Sequence, residues 1–324
     1  MNDMVRKITE RTLKMPFAEW TWGEGVAFWC LNHLDKTENI DGYQDFLKGW
    51  VDKNTDKINN TINGSIPCIS AGEVYKFTND GKYKEIVRKQ ADFLMETAPR
   101  LDNGALVHTD QYASFGKQMW ADTLFMAGLF LVYASRMLHD ERYLREALNQ
   151  FKIHVEMLQV ESGLFYHGYD EGIGKHIGLP WGRANAWVTI GIMEMLDYIT
   201  DSGDRKLLID TVKRQLDGLK KCQLESGLFR TVLNGTFSYE ETSCAYGFGC
   251  GILKGVKSGV LDESYLEIID RMKNALFAHV ADDGMILGVS AGTPVMRTEP
   301  EYEIICNHRI QYWGQGLALL YFCS

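Results

Sequence analysis

An (α/α)6 barrel, an all-α toroid of six helical hairpins, is the fold that the sequence predicts, on three observations. Two kinds of helix alternate along its 324 residues, a glycine-centred turn recurs between them, and the last helix is apolar to its end. An open solenoid is the competing arrangement, but its terminal repeats need a polar cap. The run Leu317 to Phe322 supplies none, so closure into a ring is expected. With only six prolines and no Pro/Ser-rich or low-complexity stretch, residues 1–324 are expected to form one domain.

The outer helices are amphipathic and charged, at 3–13, 43–53, 83–97, 143–158, 205–222 and 265–280. In the fourth, Tyr143, Leu144, Ala147, Leu148 and Phe151 follow the spacing of a helix with one wet face. The inner helices begin near Trp22, Pro67, Trp120, Trp181, Thr242 and Tyr312, and are apolar nearly all round. They carry glycine runs such as Gly247-Phe248-Gly249-Cys250-Gly251. Each interior glycine costs roughly 1 kcal/mol relative to alanine, tolerable where helices pack closely or a ligand approaches the backbone. The turns are centred on Gly104, Gly163, Gly227 and Gly284, spaced 59, 64 and 57 residues apart. Gln-x-Glu-Ser-Gly-Leu-Phe stands at both 159–165 and 223–229, the mark of an internal repeat.

The formal net charge of −9 argues against a nucleic-acid partner, which needs a basic surface. It leaves room for an anionic small molecule held by a local cation. The charged N-terminus lacks the apolar stretch of a secretory signal, and no run is long enough to span a bilayer, so no membrane association is expected. Seven cysteines without a C-x-x-C pair read as buried thiols of a reducing compartment. A cytoplasmic protein is expected.

In an alternating ring all inner helices run the same way, so their N-termini share one rim. That places Trp22, Asp122, Arg183 and Trp313 around one mouth, where helix N-termini favour an anion. Asp122 reads either as a helix cap or as an acid whose pKa is raised by the indole surface of Trp120 and lowered by Arg183. Between Trp181 and Trp187, Arg183 reads as a bidentate carboxylate clamp or as a salt-bridge residue. The indoles read as sugar-stacking or core surface, Trp187 more readily as core. His108 and His167 occupy equivalent places one repeat apart, each after a repeat turn. No H-E-x-x-H, P-loop, dinucleotide fingerprint, nucleophile elbow or calcium loop occurs, so neither a metal nor a cofactor is expected.

The chain resembles the unsaturated glucuronyl and rhamnogalacturonyl hydrolases, glycoside hydrolase families 88 and 105. The motifs that carry the resemblance are Trp20-Thr21-Trp22-Gly23-x-Gly25, Gln118-Met119-Trp120-x-Asp122, Trp181-Gly182-Arg183-x-Asn185-x-Trp187, Ser290-Ala291-Gly292-Thr293-Pro294 and Trp313-Gly314-Gln315-Gly316. They run through essentially the whole chain, and the rhamnogalacturonyl type is the closer.

The resemblance implies an (α/α)6 barrel that hydrates the C4=C5 double bond left by a polysaccharide lyase on a terminal uronic acid. Pectin-derived rhamnogalacturonan is the implied parent polymer. Asp122 would donate a proton to C4 and then accept one from the water that attacks C5. Arg183 and Trp187 would contact the unsaturated uronate, Trp181 and Trp22 would line the site, and His108 and His167 would hold hydroxyls or water. One position departs from the pattern: Asn63 stands where the family usually has a second aspartate, and an amide binds but carries no proton. The segment 111–117 also differs in length from the pattern. A sugar epimerase using His108 and His167, a conventional glycosidase, and a non-catalytic sugar-binding protein stay open as alternatives. The oligomeric state is not read from the sequence.

Overall fold

The structure is a computed structural model that describes residues 2–111 and 115–324. Part of the segment 111–117, at 112–114, therefore lies outside the described residues. Outer and inner helices alternate as α1 (Asp3–Leu13), α2 (Trp22–Glu38), α3 (Tyr43–Lys53), α4 (Cys68–Thr78), α5 (Gly81–Glu96) and α6 (Phe130–Leu138). They continue as α7 (Glu141–Leu158), α8 (Gly182–Leu196), α9 (Ser202–Cys222), α10 (Thr242–Lys257) and α11 (Leu266–Ala278). A short α12 (Glu299–Glu303) precedes the last inner helix, α13 (Tyr312–Phe322). Each inner helix packs on the next, and α13 packs on both α10 and α2. The ring closes, as an (α/α)6 barrel.

Local chemistry sets the ends of these helices. The side chains of Asp80, Asp140 and Asp201 accept backbone N–H groups at the starts of α5, α7 and α9. On the inner helices, Asn39, Asn79 and His139 end α2, α4 and α6 in the left-handed conformation, with φ of 51°, 54° and 56°. The outer helices bury one stripe, whereas α2, α8 and α10 are buried over most of their length. No helix among the described residues is long and apolar enough to cross a membrane.

The four repeat turns hold their glycines at φ between 83° and 89°. At Gly163 and Gly227 an added Cβ would sit 2.0 Å from the carbonyl oxygens of Arg214 and Arg271, on the neighbouring outer helices. These turns therefore set the contact between consecutive hairpins. G227A is expected to lose at least the roughly 1–2 kcal/mol of the left-handed penalty, with the backbone collision added to it. Urea unfolding checks this; a variant as stable as the parent would contradict it.

The structure differs from the sequence expectation around Asp122. Gln118–Trp120 is a strand, β1, which pairs antiparallel with β2 (Gly168–Asp170); β2 in turn pairs with β3 (Lys175–Ile177). Trp120 is thus a strand residue opposite Gly168, and Asp122 lies in the turn that follows. The next residues, Leu124–Leu129, form a π-helical stretch before α6. The backbone N–H of Ala121 is taken by His167 O at 2.9 Å, so the chain stays tied to the sheet and the regular helix starts later. Such π turns are frequent at functional sites.

Candidate active site

At the rim formed by the inner-helix N-termini lies a cavity of about 300 Å³, lined by Trp22, Asn63, His108, Asp110, Phe115, Trp120, Asp122, Met126, Trp181, Arg183 and residues 292–294. Six residues singled out from the sequence, Trp22, Asn63, His108, Asp122, Trp181 and Arg183, thus converge on one space. Trp187 does not reach it. Its ring is fully buried in the barrel and packs on Phe125 at 4.6 Å, so it stands behind the lining residues, where the sequence reading expected contact with the uronate. His167 also lies off the lining, fully buried behind Asp122.

Asp122 is 9% exposed and has His167 Nε2 3.3 Å from its Oδ2. The approach is oblique, and both atoms are buried without an aligned hydrogen bond. Burial pushes the Asp122 carboxyl up, but the imidazole of His167, then His108 and Arg183, outweigh it and hold the group below the usual aspartate value. The balance left open by the sequence thus falls on the side of a lowered pKa, with His167 contributing more than Arg183. His108 stacks on Trp120 with ring centroids 4.4 Å apart, and its Nδ1 is 3.1 Å from Thr123 Oγ1. Burial lowers its pKa to about 4, so it is neutral at pH 7.

Arg183 is fully buried, its guanidinium 4.4 Å from the ring of Trp181 and 5.2 Å from that of Trp313. It donates from Nη1 to Ser290 O at 3.1 Å and to Ser290 Oγ, and from Nη2 to Ala291 O at 2.8 Å and Thr293 Oγ1 at 3.4 Å. Glu241 Oε1 stands 3.7 Å from Nη1. Glu241 is itself fully buried; it caps α10 through Cys244 N and accepts Ser290 N at 2.9 Å. The motif Ser290–Pro294 is therefore a cavity wall braced by an Arg–Glu pair. Arg183 is less a free clamp than a fixed positive charge whose fork already holds that wall.

Asn63 also lines the cavity, its backbone N–H bonded to Thr109 O at 3.1 Å. Close by is a carboxylate that the sequence reading missed, Asp110, which lines both this cavity and a side hollow of about 60 Å³ that also includes Trp22 and Asn63. Its place two residues after His108 was the available signal. Glu241 and Tyr302 were also missed, and for Tyr302 no sequence signal exists: its hydroxyl reaches His167 across 135 positions, at 2.8 Å. Among the described residues, no group of three or more His, Cys, Asp or Glu side chains could hold a metal ion.

Comparison with known proteins agrees with this architecture. The family model described as Glycosyl Hydrolase Family 88 matches residues 1–324. The unsaturated rhamnogalacturonyl hydrolase YesR of Bacillus subtilis (strain 168) is 34% identical over 333 residues, covering 100% of this chain and 94% of that protein. The unsaturated 3S-rhamnoglycuronyl hydrolase of Alteromonas sp. (strain LOR) is 26% identical over 175 residues, 52% of this chain and 42% of that protein. A crystal structure described as a possible member of the GH105 family, from Salmonella enterica serovar Paratyphi A, superposes with a TM-score of 0.92 at 26% identity, covering 98% of this chain and 91% of that one. With a whole-chain family match and a closed helical ring around an acid, a buried guanidinium and an indole-lined cavity, the chain belongs to glycosyl hydrolase family 88 and is a hydrolase.

Proposed function

We propose that the protein removes the terminal unsaturated uronic acid from lyase-generated oligosaccharides, with rhamnogalacturonan fragments as the preferred source. The observation that carries this reading is the pairing, in one cavity, of the Asp122 carboxyl with the fixed cation Arg183 and the flanking rings of Trp22, Trp120 and Trp181. The rings offer flat faces to a sugar, and the cation attracts its carboxylate. Asp122 protonates C4 of the vinyl ether, water attacks C5, and the proton released by that water returns to Asp122. The C5 hemiketal opens and the rest of the oligosaccharide leaves from C1, with one water consumed overall.

Asn63 cannot share in proton transfer, and in this reading Asp122 carries both steps. An epimerase would need two proton carriers facing each other across the cavity. His108 and His167 instead both flank Trp120, on the side of Asp122, which favours the hydrolase. The direct test is loss of the vinyl-ether ultraviolet absorbance on adding unsaturated disaccharides from a panel of lyases. Turnover of the rhamnogalacturonan product is expected, and no loss with any of them would end this reading.

The pH dependence follows from the same residue. Asp122 acts first as an acid, so activity falls as pH rises through its pKa. Without substrate that pKa is held low by His167 and Arg183, and an arriving uronate adds negative charge that raises it. The alkaline limb of kcat is therefore expected at higher pH than that of kcat/KM. Coincident limbs would show that the substrate carboxylate does not reach Asp122.

A further inference from the structure

The two ring nitrogens of His167 face different partners. Nδ1 is 2.8 Å from the hydroxyl of Tyr302, and Nε2 is 3.3 Å from Oδ2 of Asp122. The first hydrogen bond has a definite direction. The backbone amide of Met296 donates to the Tyr302 oxygen at 3.3 Å, and the amide of Leu179 also faces that oxygen. With its lone pairs so engaged, the hydroxyl is left to act as the donor, and burial keeps it protonated by pushing its pKa up. Tyr302 is fully buried, so its proton must find an acceptor inside the protein. Among the described residues that acceptor is His167 Nδ1. A neutral imidazole that accepts at Nδ1 carries its own proton on Nε2, and that proton faces Asp122.

We propose that Tyr302 is a positioning residue for the reaction: by donating to Nδ1 it locks His167 in the Nε2–H tautomer and so keeps a hydrogen-bond donor against the carboxyl of Asp122. This rests on the proposed role of Asp122 as the acid. The donor favours the carboxylate that forms once C4 has taken the proton, and it fixes which oxygen of Asp122 is held and which stays open to the cavity. Other charged and titratable groups also face this pair. His108 and Arg183 act on Asp122, Asp110 lines the same cavity, and Glu301 neighbours Tyr302. At His167 Nδ1 the hydrogen bond is to the Tyr302 hydroxyl.

Y302F removes the donor to Nδ1, and with it the acceptor of the Met296 and Leu179 amides, a loss that the melting temperature reads separately. Nδ1 can then take the proton, which turns the lone pair of Nε2 toward Asp122 and favours its protonated form. The alkaline limb of kcat is expected to rise by on the order of half a pH unit or more, with kcat at the optimum reduced several-fold. In an H167Q background, where there is no tautomer to fix, Y302F should leave the limb in place. A limb unmoved by Y302F while the melting temperature falls would reduce Tyr302 to a structural residue. An equal shift in the H167Q background would also overturn the proposal.

The tautomer is readable without substrate, from long-range proton–nitrogen spectra of histidine-labelled protein, with H167Q identifying the signal. Nε2–H in the parent and its loss in Y302F are expected; Nδ1–H in the parent would refute the inference. If the parent turns over no unsaturated disaccharide, the substrate reading fails, and the spectra still decide whether Tyr302 sets the ring of His167.

Discussion

D122N should lose about 10²–10⁴-fold in kcat, the range of general acid–base catalysis, with the fold intact. The asparagine is nearly isosteric and fits the same turn, where the residue's backbone oxygen accepts Phe125 N at 3.1 Å and Met126 N at 3.0 Å whatever the side chain. The transferable proton is lost, together with the negative charge beside His167. Because no second carboxylate stands at Asn63, the loss is expected at the upper end of that range. The measurement is vinyl-ether absorbance under saturating substrate, alongside circular dichroism. A D122N protein that keeps more than a tenth of the parent rate would move the acid role to another residue, with Asp110 the first to examine.

The second large effect is expected at Arg183. R183M leaves the fully buried Glu241 facing an apolar side chain in place of a cation at 3.7 Å. Removing one partner of a buried ion pair typically costs about 3–5 kcal/mol of stability. The same change releases Ser290, Ala291 and Thr293, so the wall that carries Gly292 and Pro294 into the cavity loses its brace. R183K keeps the charge but not the fork, and kcat/KM is expected to fall by about 10²-fold, the 2–5 kcal/mol scale of a truncated buried charge pair. Comparing the uronate with its methyl ester separates the two roles. A penalty specific to the free acid reports charge recognition, whereas one shared by both substrates reports the loosened wall. If R183K matched the parent on the free acid, Arg183 would be only a brace.

Much of this architecture was legible in the sequence because it is periodic. The repeat turns, the glycine-rich inner helices and the amphipathic outer ones each announce themselves by spacing, and their order implies a shared rim. What the sequence could not show is depth. Trp181 precedes α8 and Trp187 lies six residues on, within it; the first lines the cavity and the second packs on Phe125. The strand pairing of Trp120 was hidden for a related reason. Its partner Gly168 lies 48 positions on, and an apolar run after Asp122 reads as helix from its first residue. Tyr302 and Glu241 act through contacts that no local pattern encodes. Arg183 was found but its engagement was not, since a guanidinium between indoles looks the same whether its fork is open or already holding a loop.

The join between α2 and α13 bears on how the protein is made. Trp22 stacks on Trp313 with ring centroids 4.2 Å apart, and the two are 291 positions distant in the chain. Contacts of such separation form late, because the intervening polypeptide must first be gathered at an entropic penalty. On the ribosome, the early hairpins can stack as they emerge, but the catalytic basin lacks one flank until translation reaches the final stave. Until α13 docks on α2 and α10 the ring stays open, and the apolar inner faces that it covers are exposed to other chains.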